Sequence, residues 1–348
     1  MKRRGGLFPQ IIDAENIRRA HLSARKGKSH YRDVMAVNAN QDAMLADVQR
    51  ALWSKEFTTS KYISKTMFDG RKMRLIHKLP YYPDRIVQHA LISVCESLWT
   101  KSYIRDTFQS IPGRGTSDAR KRLWKAIKDQ PGRYALKFDI QKYYPSVDHE
   151  ILRQEVRRYI KCKDTLWLID DIIRSGPGIP IGNYTSQHFG NVYLSRFDWW
   201  VKQELGVRHY FRYCDDIVLI GGSAEQCHAW REACFAKLQS DYKLQIKSNW
   251  QVFDVDERGL DFVGYVFRSD SVRIRPSMAQ KFRRKMRYIR RNKGRMDKPQ
   301  FLGATMAYWG WVKHANAKAL WKSQVCRAIK NKMASLGLKK NPLERIMT

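Results

Sequence analysis

The chain has 348 residues, and because a single hydrophobic core usually stops growing below that length, it has room for one large domain or two to three smaller ones. Hydrophobic residues make up 43% and aromatics 12%, with 11 Trp and 17 Tyr, which excludes a charged disordered polymer. The 66 Lys and Arg outnumber 33 Asp and Glu for a net charge of +33, so a polyanion is the expected partner; nucleic acid leads, and no stretch suits anchoring in or spanning a membrane.

The first residues, Met1 to Arg4, are basic and lack an apolar signal core, and a cytoplasmic location is expected. Six cysteines (Cys95, Cys162, Cys214, Cys227, Cys234, Cys326) are scattered without a CxxC pair and read as reduced thiols. Cys227 and Cys234 share a helix face by spacing and read as packing residues.

Helical periodicity runs over 10–57, carried by Ile11, Ile12 and Ile17, then Met44, Leu45, Val48, Leu52 and Trp53, with a basic break from Arg25 to His30. Short runs at 62–68 and 72–79 flank Asp69-Gly70 and predict a hairpin, closed by Pro80 and Pro83. Residues 84–100 read as a helix with Asp84 as N-cap, and 117–128 as a second. After Pro131-Gly132, the residues Tyr134-Ala135-Leu136-Lys137-Phe138-Asp139-Ile140 form a mostly apolar strand that ends on an acid.

Residues 148–174 read as helical, 176–182 as a loop rich in Gly and Pro, and 185–205 as a further helix. Two short apolar strands, 210–213 and 217–220, meet at Cys214-Asp215-Asp216. A helix at 224–240 and strands near 244–246 and 261–267 complete a β-α-β-β-α-β order over 134–267, which is ferredoxin-like. Beyond Pro276 the chain is helical and basic (Lys281, Arg283, Arg284, Lys285, Arg287, Arg290, Arg291, Lys293), then aromatic (Tyr308, Trp309, Trp311, Trp321).

Two-metal phosphoryl transfer needs carboxylates from neighbouring strands around ions roughly 3.5–4 Å apart. Asp139 and the Asp215-Asp216 pair, 76 residues apart in sequence, can converge if the strand and the hairpin share a sheet. Taken alone, Asp-Asp at a turn is ordinary turn chemistry. An acid ending a second strand, the strand order and the basic chain agree with the metal reading, because adjacent buried carboxylates resist ionisation unless a cation is bound.

Tyr213-Cys214-Asp215-Asp216 resembles the YxDD box of reverse transcriptases, and Phe138-Asp139-Ile140-Gln141-Lys142-Tyr143-Tyr144-Pro145 resembles their first metal-binding box. The resemblance implies an α+β right-hand polymerase with fingers, a ferredoxin-like palm of antiparallel sheet plus helices, and a helical thumb. Its domains are expected as an N-terminal helical extension over 1–60, fingers over 61–133 with part of 150–185, palm over 134–267 and basic thumb over 268–348. It implies two magnesium ions, with manganese as a substitute, held by Asp139, Asp215 and Asp216 with Ile140 beside them. Tyr144 takes the place of a steric gate that favours deoxynucleotides, although an isolated Tyr is ordinarily core packing.

Lys72 and Arg74 fall where fingers residues grip a triphosphate, and a solvated basic strand edge is the alternative reading. Arg114, in Gln109-Ser110-Ile111-Pro112-Gly113-Arg114-Gly115-Thr116, falls where the template backbone is contacted. Tyr213, Gly264 of the primer-grip-like Gly259-Leu260-Asp261-Phe262-Val263-Gly264-Tyr265, and Lys281 and Arg284 of the thumb complete the expected template and primer contacts. His314 reads as structural. Many relatives carry a lysine thought to protonate pyrophosphate where this chain has Trp250, so Lys247 or water is left as the proton source.

Most reverse transcriptases carry QGxxxSP where this chain has Ile181-Gly182-Asn183-Tyr184-Thr185-Ser186-Gln187. That form resembles the reverse transcriptases of diversity-generating retroelements and places Ile181, Gly182 and Gln187 at the nascent base pair. Replacing a polar Gln by Ile181 removes a hydrogen-bonding constraint, so reduced fidelity is the expected direction. The resemblance implies error-prone copying opposite adenine, cDNA destined for a variable gene, and a template RNA held as an RNA–DNA duplex during synthesis. It also implies deoxynucleoside triphosphates as substrates and a small basic, oligomeric accessory protein. The competing readings are a group II intron-type maturase or other bacterial reverse transcriptase, whose DNA-binding and endonuclease extensions are not expected here, and a catalytically silent RNA-binding palm.

Overall fold

The computed structural model describes residues 2–69, 72–130, 133–291 and 298–326. The N-terminal periodicity folds as α1 (Phe8–Ile11), α2 (Ala14–Ala24), α3 (Arg32–Ala39) and α4 (Gln41–Trp53), with the basic break between α2 and α3. Asp13 starts α2 by accepting the Asn16 N–H at 3.0 Å, which satisfies one of the donors a helix start leaves open.

The hairpin follows as β1 (Ile63–Asp69) and β2 (Lys72–Lys78). Asp69 stands opposite Lys72, so the connection is residues 70 and 71, one position past the expected Asp69-Gly70 turn and outside the described residues. Asp84 does not cap the next helix. A wide helical turn over 81–85 precedes α5 (Ile86–Thr100), and buried Asp84 accepts the Ser60 N–H at 2.9 Å through Oδ1, leaving it committed to a distant chain segment.

Next come β3 (Thr107–Phe108), α6 (Thr116–Asp129), β4 (Tyr134–Asp139), α7 (Tyr143–Ser146), α8 (His149–Arg157), α9 (Lys163–Arg174) and α10 (Tyr184–Gln203). The helical stretch expected over 148–174 is thus broken. Between α8 and α9 the chain pairs with the N-terminal segment: Arg4 donates to the Tyr159 carbonyl and accepts the Lys161 N–H, each at 2.8 Å. A continuous helix would not free those groups.

The remaining elements are β5 (His209–Tyr213), β6 (Asp216–Gly221), α11 (Ala224–Tyr242), β7 (Gln251–Asp254), α12 (Val255–Arg258), β8 (Leu260–Phe262), β9 (Tyr265–Phe267), β10 (Val272–Ile274), α13 (Pro276–Arg291), α14 (Lys298–Val312) and α15 (Lys318–Trp321). The main sheet has the order β3-β5-β6-β4-β7, with β3 parallel to β5, and β8, β9 and β10 form a separate antiparallel sheet. The β-α-β-β-α-β succession holds with β7 as its last strand.

Two expected strands are corrected. Residues 244–246 supply only a single bridge, Ile246 to Ile140, because Lys142 turns left-handed at φ 45° and leads into α7, ending the ladder. Residues 261–267 fold as the hairpin of β8 and β9, because Val263 and Gly264 take φ of 43° and 88° and reverse the chain.

The chain divides into two compact units, described separately. One takes in residues up to 115, 136–219 and 225–251; the other takes in 116–135, 220–224 and the described residues from 252 onward. The core of the first includes Trp99, Phe108, Phe138, Phe189, Phe197 and Tyr210, with Phe138 edge-on to Phe235 at 5.5 Å between ring centres. Cys227 and Cys234 are buried on α11, and none of the five cysteines with described side chains is in a disulfide.

In the second unit, Phe282, Met286 and Ile289 line one stripe of α13 and meet Trp309, Val312 and Trp321. Phe282 stacks on Trp321 at 5.7 Å, while Lys281, Arg283, Arg284 and Arg287 stay exposed. No helix among the described residues is long and apolar enough to cross a membrane.

A Cβ added at Gly264 would lie 2.4 Å from the Trp311 ring, at a φ that L side chains rarely adopt. Gly264→Ala is therefore expected to lower the stability of the second unit by roughly 2–4 kcal/mol. Urea denaturation checks this; an unchanged midpoint would show that the ring does not seat there.

Candidate active site

Asp139 is the last residue of β4, Asp215 sits in the turn after β5, and Asp216 is the first residue of β6. The order β5-β6-β4 makes these strand ends neighbours. Ile140 ties them together: its N–H donates to the Asp215 carbonyl at 3.2 Å. The segment after α11 closes the other side, with the Gln141 N–H on the Gln245 carbonyl at 2.8 Å and the Lys247 N–H on the Asp139 carbonyl at 2.9 Å.

The turn that carries Asp215 is built on a buried ion pair absent from the expected site. Cys214 takes φ of 58°, a left-handed conformation unfavourable for a side-chain-bearing residue, and Arg212 Nη1 donates to its carbonyl at 3.2 Å. Arg212 and Asp198 are both fully buried and bind each other bidentately, Nε to Oδ1 and Nη2 to Oδ2, each at 2.7 Å. Asp198 also accepts the Tyr210 hydroxyl at 2.6 Å and the Thr107 hydroxyl at 2.7 Å. Every lobe of the carboxylate is thus occupied, the condition under which a buried charge is tolerated. The signal was present in the sequence as a lone Arg in the apolar run Tyr210-Phe211-Arg212-Tyr213 and a lone Asp in Phe197-Asp198-Trp199-Trp200.

Two ammonium groups sit on the acids. Lys247 Nζ is 3.6 Å from Asp139 Oδ1 and 3.9 Å from Asp215 Oδ2, and Lys137 Nζ is 3.3 Å from Asp216 Oδ1. The Asp139, Asp215 and Asp216 side chains keep 29%, 36% and 23% exposure, so the cluster is open to ions from solvent. Burial pushes the Asp216 carboxyl up to about 7 against the pull of Lys137, and burial also raises Asp215. Asp216 Oδ1 is buried without a hydrogen-bond partner. Among the described residues, no three His, Cys, Asp or Glu side chains stand close enough together to hold a metal ion.

Tyr144 lies beside this cluster. The Cys214 thiol donates to its hydroxyl at 3.2 Å, and burial raises its pKa well above the ordinary phenol value. Its carbonyl accepts the Ile179 N–H at 2.9 Å, and a Cβ at Gly178, φ 57°, would fall 2.4 Å from that oxygen. Trp250 is packed on α11, with the Arg231 guanidinium 4.3 Å from its ring centre and His228 and Phe235 edge-on. Lys247, not Trp250, is the group beside the acids.

The other expected residues are dispersed. The Ile181 carbonyl accepts the His77 N–H at 2.9 Å, and Gly182, at φ 128°, passes so close that a Cβ would fall 2.2 Å from the His77 carbonyl. Exposed Gln187 accepts the Ser110 hydroxyl through Oε1. Arg114 Nη1 donates to the Ile104 carbonyl at 2.8 Å, which orders its own loop. Half-buried Tyr213 pairs in register with Phe108. The backbones of Lys72 and Arg74 lie on β2 opposite Asp69 and Met67, and their side chains lie outside the described residues. Gly264, Lys281 and Arg284 belong to the second unit.

Arg212→Met would leave Asp198 buried and uncompensated, so a loss of roughly 3–5 kcal/mol is expected, read as a lower urea midpoint; a midpoint equal to the native one would remove the pair from its supporting role. The Asp216 carboxyl at about 7 lies above its ordinary 3.8, so the stability it contributes is complete below about 3.8 and is lost as pH rises through 7. With a chelator present, Asp216→Asn should raise the thermal midpoint at about pH 8 and have its smallest effect at about pH 4. A pH-independent effect, measured by scanning fluorimetry, would contradict the burial of this acid.

Residues 63–267 match the family described as reverse transcriptase (RNA-dependent DNA polymerase). Protein YkfC of Escherichia coli (strain K12) is 25% identical over 233 residues, which cover 54% of this chain and 61% of that protein, so the chain spans less than two thirds of this relative's length. Among solved structures, telomerase from Candida albicans in complex with a TWJ fragment of telomeric RNA aligns with a TM-score of 0.54 at 11% identity, over 85% of this chain and 59% of that one. Apo telomerase from Candida tropicalis aligns at 0.53 and 12% identity, over 88% and 66%. At such identities the likeness is one of fold, and it agrees with an α+β right-hand polymerase. With more than half its length matched, and with the acids of its YxDD-type box on adjoining strand ends, this chain belongs to the reverse transcriptase family.

Proposed function

We propose that this chain is an RNA-directed DNA polymerase that makes error-prone, adenine-mutagenic cDNA from a template RNA as part of a diversity-generating retroelement. The observation that carries the polymerase reading is the set of three solvent-accessible carboxylates, Asp139, Asp215 and Asp216, on adjoining strand ends. In this reading the fingers take residues 61–133 with part of 150–185, the palm 134–267 and the thumb 268–348, behind an N-terminal extension over 1–60.

The donor set suits magnesium, which prefers hard carboxylate oxygens, and Asp216 Oδ1, which makes no hydrogen bond and has the Lys137 ammonium at 3.3 Å, is an oxygen already set against positive charge. Asp139, Asp215 and Asp216, with the Ile140 backbone beside them, would have to draw closer than they stand here to hold the ions, which when bound would supply activation of the attacking hydroxyl and charge stabilisation at the leaving pyrophosphate. Lys247 and Lys137 meanwhile neutralise the acids, and either must swing aside where a divalent ion takes its place. The hydrogen bond from the Cys214 thiol orients the Tyr144 ring as a gate against a ribose 2′-hydroxyl. Lys247 or water would hand a proton to departing pyrophosphate, and Lys72 and Arg74 would grip the triphosphate.

The retroelement reading rests on Ile181 and Gln187 in the box that otherwise reads QGxxxSP. It brings with it an RNA–DNA duplex along the basic face of α13, deoxynucleoside triphosphates as substrates and a small basic accessory protein.

With magnesium, primer, template and deoxynucleotides, the chain supplied with its accessory protein should extend DNA, and Asp215→Asn should abolish extension while RNA binding persists. Equal extension by that variant would end the polymerase reading. Ile181→Gln should lower misincorporation opposite template adenine several-fold, read by sequencing the cDNA; an unchanged error spectrum would detach Ile181 from fidelity.

A further inference from the structure

Helix α10 is buried over most of its length, yet Arg196 and Trp199, three residues apart and so on one face, are exposed. Trp199 opens onto a groove of about 510 Å³ whose other described lining residues are Lys101 and Ser102, after α5, and Arg158 and Tyr159, after α8. All five belong to the first unit. The Trp199 ring is held in one orientation, because its Nε1–H donates to the Ser102 carbonyl at 2.7 Å. That bond uses the only polar group of the indole and leaves the residue 40% exposed.

The groove is cationic, and no acid is among its described lining residues. Arg158 and the neighbouring Arg196 share one carboxylate oxygen, Glu155 Oε1, at 3.3 and 3.5 Å, and both side chains stay about half exposed. Burial raises the Glu155 carboxyl against the pull of both guanidiniums, so this single acid leaves the pair with excess positive charge. The N-terminal segment adds more. Arg4 is bound through its backbone to Tyr159 and Lys161, which sets the exposed Arg3, Arg4 and Lys161 beside the Tyr159 wall. A lone exposed tryptophan is ordinary on a protein surface; one locked in orientation among cations suits a ligand that brings both a π face and negative charge.

We infer that this groove anchors an unpaired segment of RNA away from the acidic cluster, with one base stacked on Trp199 and the flanking phosphates on Lys101 and Arg158. Its volume lies within the roughly 300–1,000 Å³ of a small-molecule site, room enough for one nucleotide. Trp199 comes nine residues after Gly190, where an added Cβ would meet the Tyr144 ring, and so stands about 13 Å farther along the helix from that ring. Lys202, one turn beyond, donates to the Arg208 carbonyl just ahead of β5, the end of that strand opposite the acids. A nucleotide held here is therefore not the one being copied. An acidic protein segment would answer the cations but leave the locked ring without a stacking partner, and a duplex would hide its bases. Naming the strand as RNA rests on the polymerase reading; the seat for a base and its phosphates does not.

The test measures binding without synthesis, so its failure and that of the polymerase reading are separable. A labelled oligoribonucleotide carrying 5-iodouracil is titrated by fluorescence anisotropy over a range of salt, with excess RNA–DNA hybrid present to fill other nucleic-acid sites, and is then photo-cross-linked and mapped by mass spectrometry. Trp199→Ala should weaken binding several-fold and abolish a cross-link to the peptide that contains residue 199, whereas Trp199→Phe, which keeps a ring, should stay near native. The exposed pair Lys101→Gln, Lys161→Gln tests the charge without touching the ring or the fold, and should lower the slope of log K against log salt by about 0.7 for each phosphate released. Affinity, slope and cross-link all unchanged in these variants would overturn the proposal. Competition by polyglutamate as effective as by RNA of equal charge would overturn it in favour of an acidic protein partner, and tighter binding of the same sequence as DNA would overturn the assignment to RNA.

Discussion

The geometry of the acidic cluster depends on one buried ion pair. Asp215 is delivered by a turn whose first residue, Cys214, is left-handed without being glycine, a conformation that persists only where its surroundings hold it. Arg212 does so by binding the Cys214 carbonyl while locked, fully buried, to Asp198 on α10. Because Thr107, Tyr210 and Asn191 also bind this pair, β3, β5 and α10 are fastened at one point directly behind the turn. A hydrophobic pair of equal volume would pack, but it would not hold a carbonyl in place; here the ion pair sets position more than it adds stability.

The cluster itself concentrates negative charge that two lysines only partly offset. Three carboxylates approach one another, burial raises two of them, and two lysines lean in at 3.3–3.9 Å. The lysines offset part of the repulsion yet leave Asp216 Oδ1 without a hydrogen bond. Such a site favours positive ligands. The chain as a whole, at a net charge of +33, attracts polyanions instead.

Much of this was legible along the chain because the signals are local. Apolar runs broken by Gly and Pro marked β4, β5 and β6, and the alternation of basic and apolar residues marked α13, whose stripe of Phe282, Met286 and Ile289 is buried as its spacing requires. Boundaries were less legible where long-range partners compete. Asp84 has the look of a helix cap until Ser60 claims it, and 261–267 reads as one strand until Val263 and Gly264 reverse it. The stretch 148–174 reads as one helix until the N-terminal segment pairs into its middle.

By itself, the sequence determined that the chain would fold around apolar strands, carry the charge that attracts a polyanion and place Asp139 and Asp215-Asp216 at strand ends, because periodicity, charge and turn chemistry are properties of neighbouring residues. Only the tertiary structure decided which lone charges belong together: Arg212 with Asp198, and Lys247 with Asp139 and Asp215. Each of these sets joins residues 14 to 108 positions apart, and a charge does not announce its partner until folding has brought the two together.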